Sequence, residues 1–173
     1  MKNRDKLIAV FVVLLIGALA WIWFSPSGLQ RAPDISFKNV EGKTISLQQL
    51  HQQDRPVLVT FWATSCPGCI KEMPHLIEMY HDLAPRGLEI IGVAMDYDPP
   101  NHVMRMREEK AIPYPIVLDI DSAIARAFGD VKLTPSHFLI NPNGRIVHHK
   151  IGELDMERVR TRILAMLNSS SQG

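Results

Sequence analysis

A run of β-branched and aromatic residues, Pro56 to Trp62, leads within four positions into Cys66-Pro67-Gly68-Cys69, and an amphipathic pattern begins immediately after it. The run carries little polarity and reads as a strand buried on both faces. Pro67 to Ala84 reads as a helix, because Ile70, Met73, Leu76, Ile77, Tyr80, Leu83 and Ala84 recur at three-and-four spacing. Pro74 predicts a kink in it, and Pro85-Arg86-Gly87 ends it. The two cysteines therefore lie where a buried strand becomes a helix, Cys66 at the cap and Cys69 in the first turn. Residues three apart on a helical turn are neighbours, so the sulfurs can reach each other. Free amides and the dipole at the helix start favour a thiolate at Cys66. Pro67 suits the first helical position, where its missing N–H costs nothing.

These are the only 2 cysteines in 173 residues. A structural disulfide framework needs more of them, spread over longer loops, and a bridge closing so short a loop constrains the unfolded chain little. Metal binding is the alternative, but two thiols do not complete a tetrahedral zinc site. The 7 histidines show no ligand spacing, and the adjacent pair His148-His149 on a predicted strand points to opposite faces. Redox exchange between Cys66 and Cys69 is the reading that remains, with no metal and no cofactor beyond the pair itself. The net charge of +1, without a basic stripe or an acidic block, argues against nucleic acid as a partner. No glycine-rich phosphate loop supports nucleotide binding.

Elsewhere the pattern gives a β-hairpin over 35–47 turning at Glu41-Gly42, and a short helix over 46–53. A second buried strand follows over 88–95, then a helix over 99–110. A short strand is expected at 116–118 and a helix over 121–128 capped by Asp121 or Ser122. A hairpin pairs 136–140 with 145–150 through Asn143-Gly144, and a closing helix covers 157–167. Early strands alternate with helices and late ones form an antiparallel hairpin, so the fold class is α/β, a mixed sheet covered by helices on both faces.

Leu7 to Phe24 carries no charge and would span about 27 Å as a helix, close to the roughly 30 Å of a bilayer core. Lys2, Arg4 and Lys6 precede it, which predicts a cytoplasmic start and everything after Phe24 outside. The resulting organisation is a membrane anchor at 1–24, a linker at 25–33, a globular domain at 34–168 and a tail at 169–173. A cleaved signal peptide is the alternative, since Ala18-Leu19-Ala20 resembles a cleavage site, but Trp21-Ile22-Trp23-Phe24 continues the apolar run beyond it.

The set Pro33-Asp34-Ile35, Phe61-Trp62-Ala63, Cys66-x-x-Cys69, Lys71-Glu72-x-Pro74, Thr134-Pro135 and Phe138 to Gly144 resembles the thioredoxin superfamily, and within it the TlpA/ResA-type branch of bacterial extracytoplasmic disulfide reductases. The likeness covers residues 32–167, including the insertion around 99–128. It implies a thioredoxin-like mixed sheet with an N-terminal hairpin and an N-terminal transmembrane helix. It also implies a cis bond at Thr134-Pro135 and substrate contacts at Trp62, Pro67, Gly68, Thr134 and Pro135. The chain departs from the family at Ser65, where tryptophan is usual, at the dipeptide Pro67-Gly68, and at Thr60, the position of thioredoxin's buried aspartate. Residues between the cysteines tune the potential, so these departures bear on it.

Glu72 follows Cys69 by three. A carboxylate in an apolar pocket has a raised pKa and could move the Cys69 proton; a solvated helix charge beside Lys71 is the plainer alternative. His75 and His137 read as surface or packing residues. The implied activity is reduction of protein disulfides such as that of apocytochrome c, with electrons supplied by a membrane-embedded thiol–disulfide donor. The implied location is the bacterial inner membrane, with the domain facing the periplasm or extracytoplasmic side. The alternatives are a disulfide-forming oxidase of the same fold, a copper or haem chaperone holding metal through the two thiols, and a peroxidase.

Overall fold

The computed structural model describes Leu15 and residues 31–170. Apart from Leu15, the expected membrane anchor lies outside the described residues, as do positions 25–30 and 171–173. Among the described residues no helix is long and apolar enough to cross a membrane. The compact unit begins at Arg31. Arg31 bridges Arg145, and the Ala32 N–H donates to the Gly144 carbonyl at 2.9 Å. Arg31 to Pro33, assigned to the linker on composition, thus belong with the domain.

The elements are β1 (Ser36–Lys38), β2 (Thr44–Ser46), α1 (Leu47–Gln52), β3 (Val57–Trp62), α2 (Pro67–Leu83), a 3-10 turn (Ala84–Arg86), β4 (Glu89–Ala94), α3 (Pro100–Glu109), β5 (Ile116–Leu118), α4 (Ala123–Ala127), β6 (Ser136–Ile140), β7 (Ile146–Ile151) and α5 (Met156–Ser170). One sheet has the order β5-β4-β3-β6-β7 and β1-β2 form a separate pair. β3, β4 and β5 run parallel, while β6 is antiparallel to β3 and to β7. This is the thioredoxin-like mixed sheet with an N-terminal hairpin.

The period of two along β3 divides the core. Leu58 and Trp62 face one cluster with Met73, Leu76 and Leu83 of α2, Val103 of α3 and Ile163 of α5. Val57, Val59 and Phe61 face the other, with Phe37 of the hairpin, Leu47 of α1 and Phe128 after α4. Phe61 meets Phe128 and Phe138 edge-on at centroid separations of 5.5 and 5.8 Å. Side chains of this size contribute about 1.5–3 kcal/mol each when fully buried, so a strand with every residue buried is the mechanical base of the domain.

The hairpin is closed by Asn39, whose Oδ1 accepts from the N–H groups of Glu41 and Lys43 at 3.1 and 2.8 Å. It lies along β5: the Val40 N–H donates to the Ile116 carbonyl at 2.9 Å, and Asn39 bridges Val117.

Three local expectations need correction. α2 runs from Pro67 to Leu83 with Pro74 inside it, the span expected, but the face it buries differs. Its buried face is Cys69, Glu72, Met73, Leu76, Met79 and Leu83, while Ile70, Ile77 and Tyr80 are only half-buried. The stripe is turned towards Glu72 because the segment before α5 packs there. The start of α4 is capped from further back than expected. Both Asp119 oxygens accept backbone N–H bonds, from Ile124 at 2.9 Å and Ala125 at 2.7 Å, while Asp121 takes only the Ala123 N–H and the Ser122 side chain caps nothing. Finally, Ser169 and Ser170, assigned to the tail, lie in α5.

Candidate active site

The site stands where β3 delivers the chain to α2. The Cys66 N–H closes a turn onto the Ala63 carbonyl at 3.1 Å, and Cys66 itself is the N-cap, with extended φ −95° and ψ 106°. Its Sγ accepts the Cys69 N–H at 3.2 Å, a sulfur filling the role that a serine or aspartate oxygen fills at most helix starts. Pro67 occupies the first turn, where no N–H is needed. Cys66 and Cys69 are joined as a disulfide with their Cα atoms 5.3 Å apart. Both are buried in this form, Cys66 at 8 % exposure and Cys69 at 4 %, so the first cysteine is the more accessible by degree only.

Gly68 allows a second loop to approach. A Cβ there would stand 3.5 Å from Pro135 Cδ and 3.6 Å from Glu153 Cγ. Thr134-Pro135 is a cis peptide. The Pro135 carbonyl accepts from the Gly152 N–H at 2.8 Å, and the Ser136 hydroxyl donates to the Leu133 carbonyl at 2.6 Å, which fixes the loop from both sides. Thr134 Oγ1 lies 3.3 Å from the hydroxyl of Tyr97, a side chain 55 % exposed. Of the five expected substrate contacts, Pro67, Gly68, Thr134 and Pro135 gather around the disulfide. Trp62 does not reach the surface. It is buried, and its Nε1 lies inward against Gly92, because its place at the end of β3 turns it into the α2-facing core.

Glu72 is not a solvated helix charge: it is 4 % exposed. Its Oε1 accepts the Leu154 N–H at 3.0 Å. Its Oε2 lies 3.1 Å from Nε2 of His137, which is 1 % exposed. The two are in contact at ion-pair distance, but the ring is not aligned for a hydrogen bond. His137 stands opposite Thr60 across the β3–β6 pair, so this histidine and Glu72 supply the buried polar groups at a level where Thr60 brings no carboxylate. Burial pushes the Tyr114 phenol well above its usual range, and the nearby Glu72 carboxylate adds to that push. A cavity of about 250 Å³ is lined by Lys71, Glu72, His75, Glu153 and Leu154.

Three contributors escape sequence reasoning. Glu153 stands beside Gly68 and pairs with Lys71 at 2.8 Å. Asp98, buried in the loop after β4, accepts from the Thr64 N–H at 2.6 Å and the Thr64 hydroxyl at 2.5 Å. His137 carries one usable signal, its place two residues after the proline that faces the cysteines.

Comparison with known proteins agrees with this geometry. Residues 29–149 match the model of the AhpC/TSA family. The thiol–disulfide oxidoreductase ResA of Halalkalibacterium halodurans is 31 % identical over 90 % of this chain and 89 % of its own length. The protein of the same name from Geobacillus thermodenitrificans is 27 % identical over 94 % and 97 %. The solution structure of a Neisseria meningitidis protein assigned as a thioredoxin is similar with a TM-score of 0.74 and 30 % identity, covering 83 % of this chain and 95 % of that one. With a redox-active pair at a helix cap, a cis-proline loop against it and these relatives, the chain belongs to the AhpC/TSA family of the thioredoxin superfamily and is a thiol–disulfide oxidoreductase.

Proposed function

We propose that the protein is a membrane-anchored extracytoplasmic reductase of protein disulfides, with apocytochrome c as the kind of substrate it serves. The observation that carries this reading is Cys66 at the cap of α2, its sulfur accepting the Cys69 amide. In the reduced protein the Cys66 thiolate attacks a substrate disulfide, forming a mixed disulfide and releasing one substrate thiolate, which takes up a proton. Cys69 then loses its proton and attacks Cys66 Sγ, expelling the second substrate thiolate. The substrate gains two electrons and two protons, and the protein is left as the Cys66–Cys69 disulfide. A membrane-embedded dithiol donor returns it to the reduced form. Half-buried Thr134, ahead of Pro135, lies where an extended substrate segment can run past the sulfurs, and Pro67 and Gly68 border that path. Glu72 takes the proton from Cys69 and passes it to solvent.

The direction follows from charge. A strong oxidant over-stabilises its reduced thiolate. Here Pro67 and Gly68 offer no side-chain donor, while Glu72 is buried three residues after Cys69 on the same helix and Glu153, paired with Lys71, approaches Gly68. Negative charge next to a thiol opposes thiolate formation. The purified protein equilibrated with glutathione or dithiothreitol buffers should therefore give a potential nearer the roughly −270 mV of thioredoxin than the roughly −120 mV of a strong oxidant. A value at the oxidant end would make the protein a disulfide-forming oxidase.

Residues 1–24 supply the anchor and the basic flank that leaves the domain outside. A C-terminal reporter enzyme that is active only after export should be active when fused to the full chain, and the fusion should sediment with membranes. Recovery of a soluble mature chain starting at Trp21 would replace the anchor with a signal peptide.

A further inference from the structure

Asp98 is a buried carboxylate that the exchange chemistry above does not use. It sits in the loop between β4 and α3, held there by its own N–H, which donates to the Met95 carbonyl at 3.0 Å. Both of its oxygens are spent on one residue, Thr64, the first through the backbone N–H at 2.6 Å and the second through the hydroxyl at 2.5 Å. Thr64 lies inside the turn that the Cys66 N–H closes onto the Ala63 carbonyl. A helix cap works only if the capping atom is held where the first-turn amides point, and Cys66 is that cap. The strand end below is already tied, since the Met95 N–H donates to the Trp62 carbonyl at 3.1 Å. The Asp98 clamp extends the tie by two residues, up to the cysteine. Tyr97, one residue away, touches Thr134, so one short loop meets both the cysteine turn and the cis-proline loop.

We propose that Asp98 is the positioning residue of the active-site turn, fixing Thr64 and through it the cap geometry that sets Cys66 against Cys69. The proposal rests on the dithiol-exchange reading and asks what holds the pair in register. A buried carboxylate close to two thiols also has a second route of influence, through its charge. The two routes separate by chemistry. Asparagine at 98 loses the charge but keeps the clamp, because its oxygen can accept the Thr64 N–H while its amide donates to the Thr64 hydroxyl. Alanine loses both.

The test is the equilibrium constant for closing the Cys66–Cys69 disulfide against glutathione, measured on the full chain in detergent with wild type, Asp98→Ala, Asp98→Asn and Thr64→Val. In Asp98→Ala the constant should fall about tenfold, the scale of one hydrogen bond to a charged group. In Asp98→Asn it should fall by no more than about threefold, because the clamp is kept with neutral partners that bond about half as strongly. Thr64→Val keeps the backbone bond and loses the hydroxyl bond, so a fall of about threefold is expected, roughly half the free energy of the full loss. The same order of effects should appear in the rate at which Cys66 is alkylated relative to Cys69. If Asp98→Asn falls as far as Asp98→Ala, charge and not position is the cause, and the proposal is overturned. An unchanged constant in Thr64→Val overturns it as well, and that arm stands even if the alanine variant does not fold. A wild-type protein that exchanges with no disulfide at all would overturn the functional reading and this proposal together, whereas normal wild-type exchange with unchanged variants overturns this proposal alone.

Discussion

Serine at position 69 should leave the protein locked to its substrates through Cys66, and serine at position 66 should abolish exchange. The asymmetry comes from the cap. Cys66 is the sulfur that accepts a helix amide and, at 8 % exposure against 4 % for Cys69, the more accessible of two cysteines that share one core cluster with Met73 and Leu76. Without Cys69 the first attack proceeds and the mixed disulfide has no resolving thiol. Without Cys66 the only remaining thiol is the less exposed one, which caps no helix amide, and turnover should fall by on the order of 10⁴ or more, the scale seen when a nucleophile is removed. Mass spectrometry of each variant after incubation with a disulfide-bonded peptide reads the adduct directly. Trapping by Cys66→Ser in place of Cys69→Ser would reverse the assignment.

Glu72→Gln should slow the second half of the reaction, release of reduced substrate from the mixed disulfide, by about 10²-fold, the lower range for loss of a positioned proton acceptor. The amide can still accept the Leu154 N–H, so the fold should survive. Glu72→Leu goes further. It leaves the buried Leu154 N–H without its acceptor and removes the group that His137 faces, so stability should drop by about 1–3 kcal/mol for the amide alone. Single-turnover release measured across pH for wild type and Glu72→Gln separates the roles. Coincident profiles would reduce Glu72 to a structural tie between α2 and the segment before α5.

What the sequence revealed and what it hid follow from the range of the interactions. β3, α2 and the cap at Cys66 were legible because each depends on residues a few positions apart: the unbroken apolar run, the helical spacing, the proline at the first turn. The Asn143-Gly144 hairpin was legible for the same reason, Gly144 adopting φ +72°. The environment of Glu72 was not. Its burial depends on Leu154, 82 positions away, and on a histidine that reaches it only through the pairing of β6 with β3. The clamp of Asp98 on Thr64 spans 34 positions and needs β3 and β4 to be parallel neighbours. At the start of α4 the cap position, Ser122, was legible and Asp121 does accept an amide, but the two bonds to Asp119 were hidden because that residue lies outside the local capping pattern. Trp62 was placed among the substrate contacts by resemblance, but the alternation along β3 turns it inward.

The hairpin beside β5 has a meaning for the life of the protein between molecules. β5 ends the sheet, and a terminal strand offers a row of unused N–H and C=O groups to which any passing extended chain can add itself, the first step of aggregation. A reductase of protein disulfides, as proposed above, would meet such chains. The bond from Val40 to Ile116 and the bridge from Asn39 to Val117 occupy part of that row with the protein's own backbone. The two short strands ahead of the sheet thus act as a guard rail, closing one route by which a client chain could add itself to β5 instead of meeting the sulfurs.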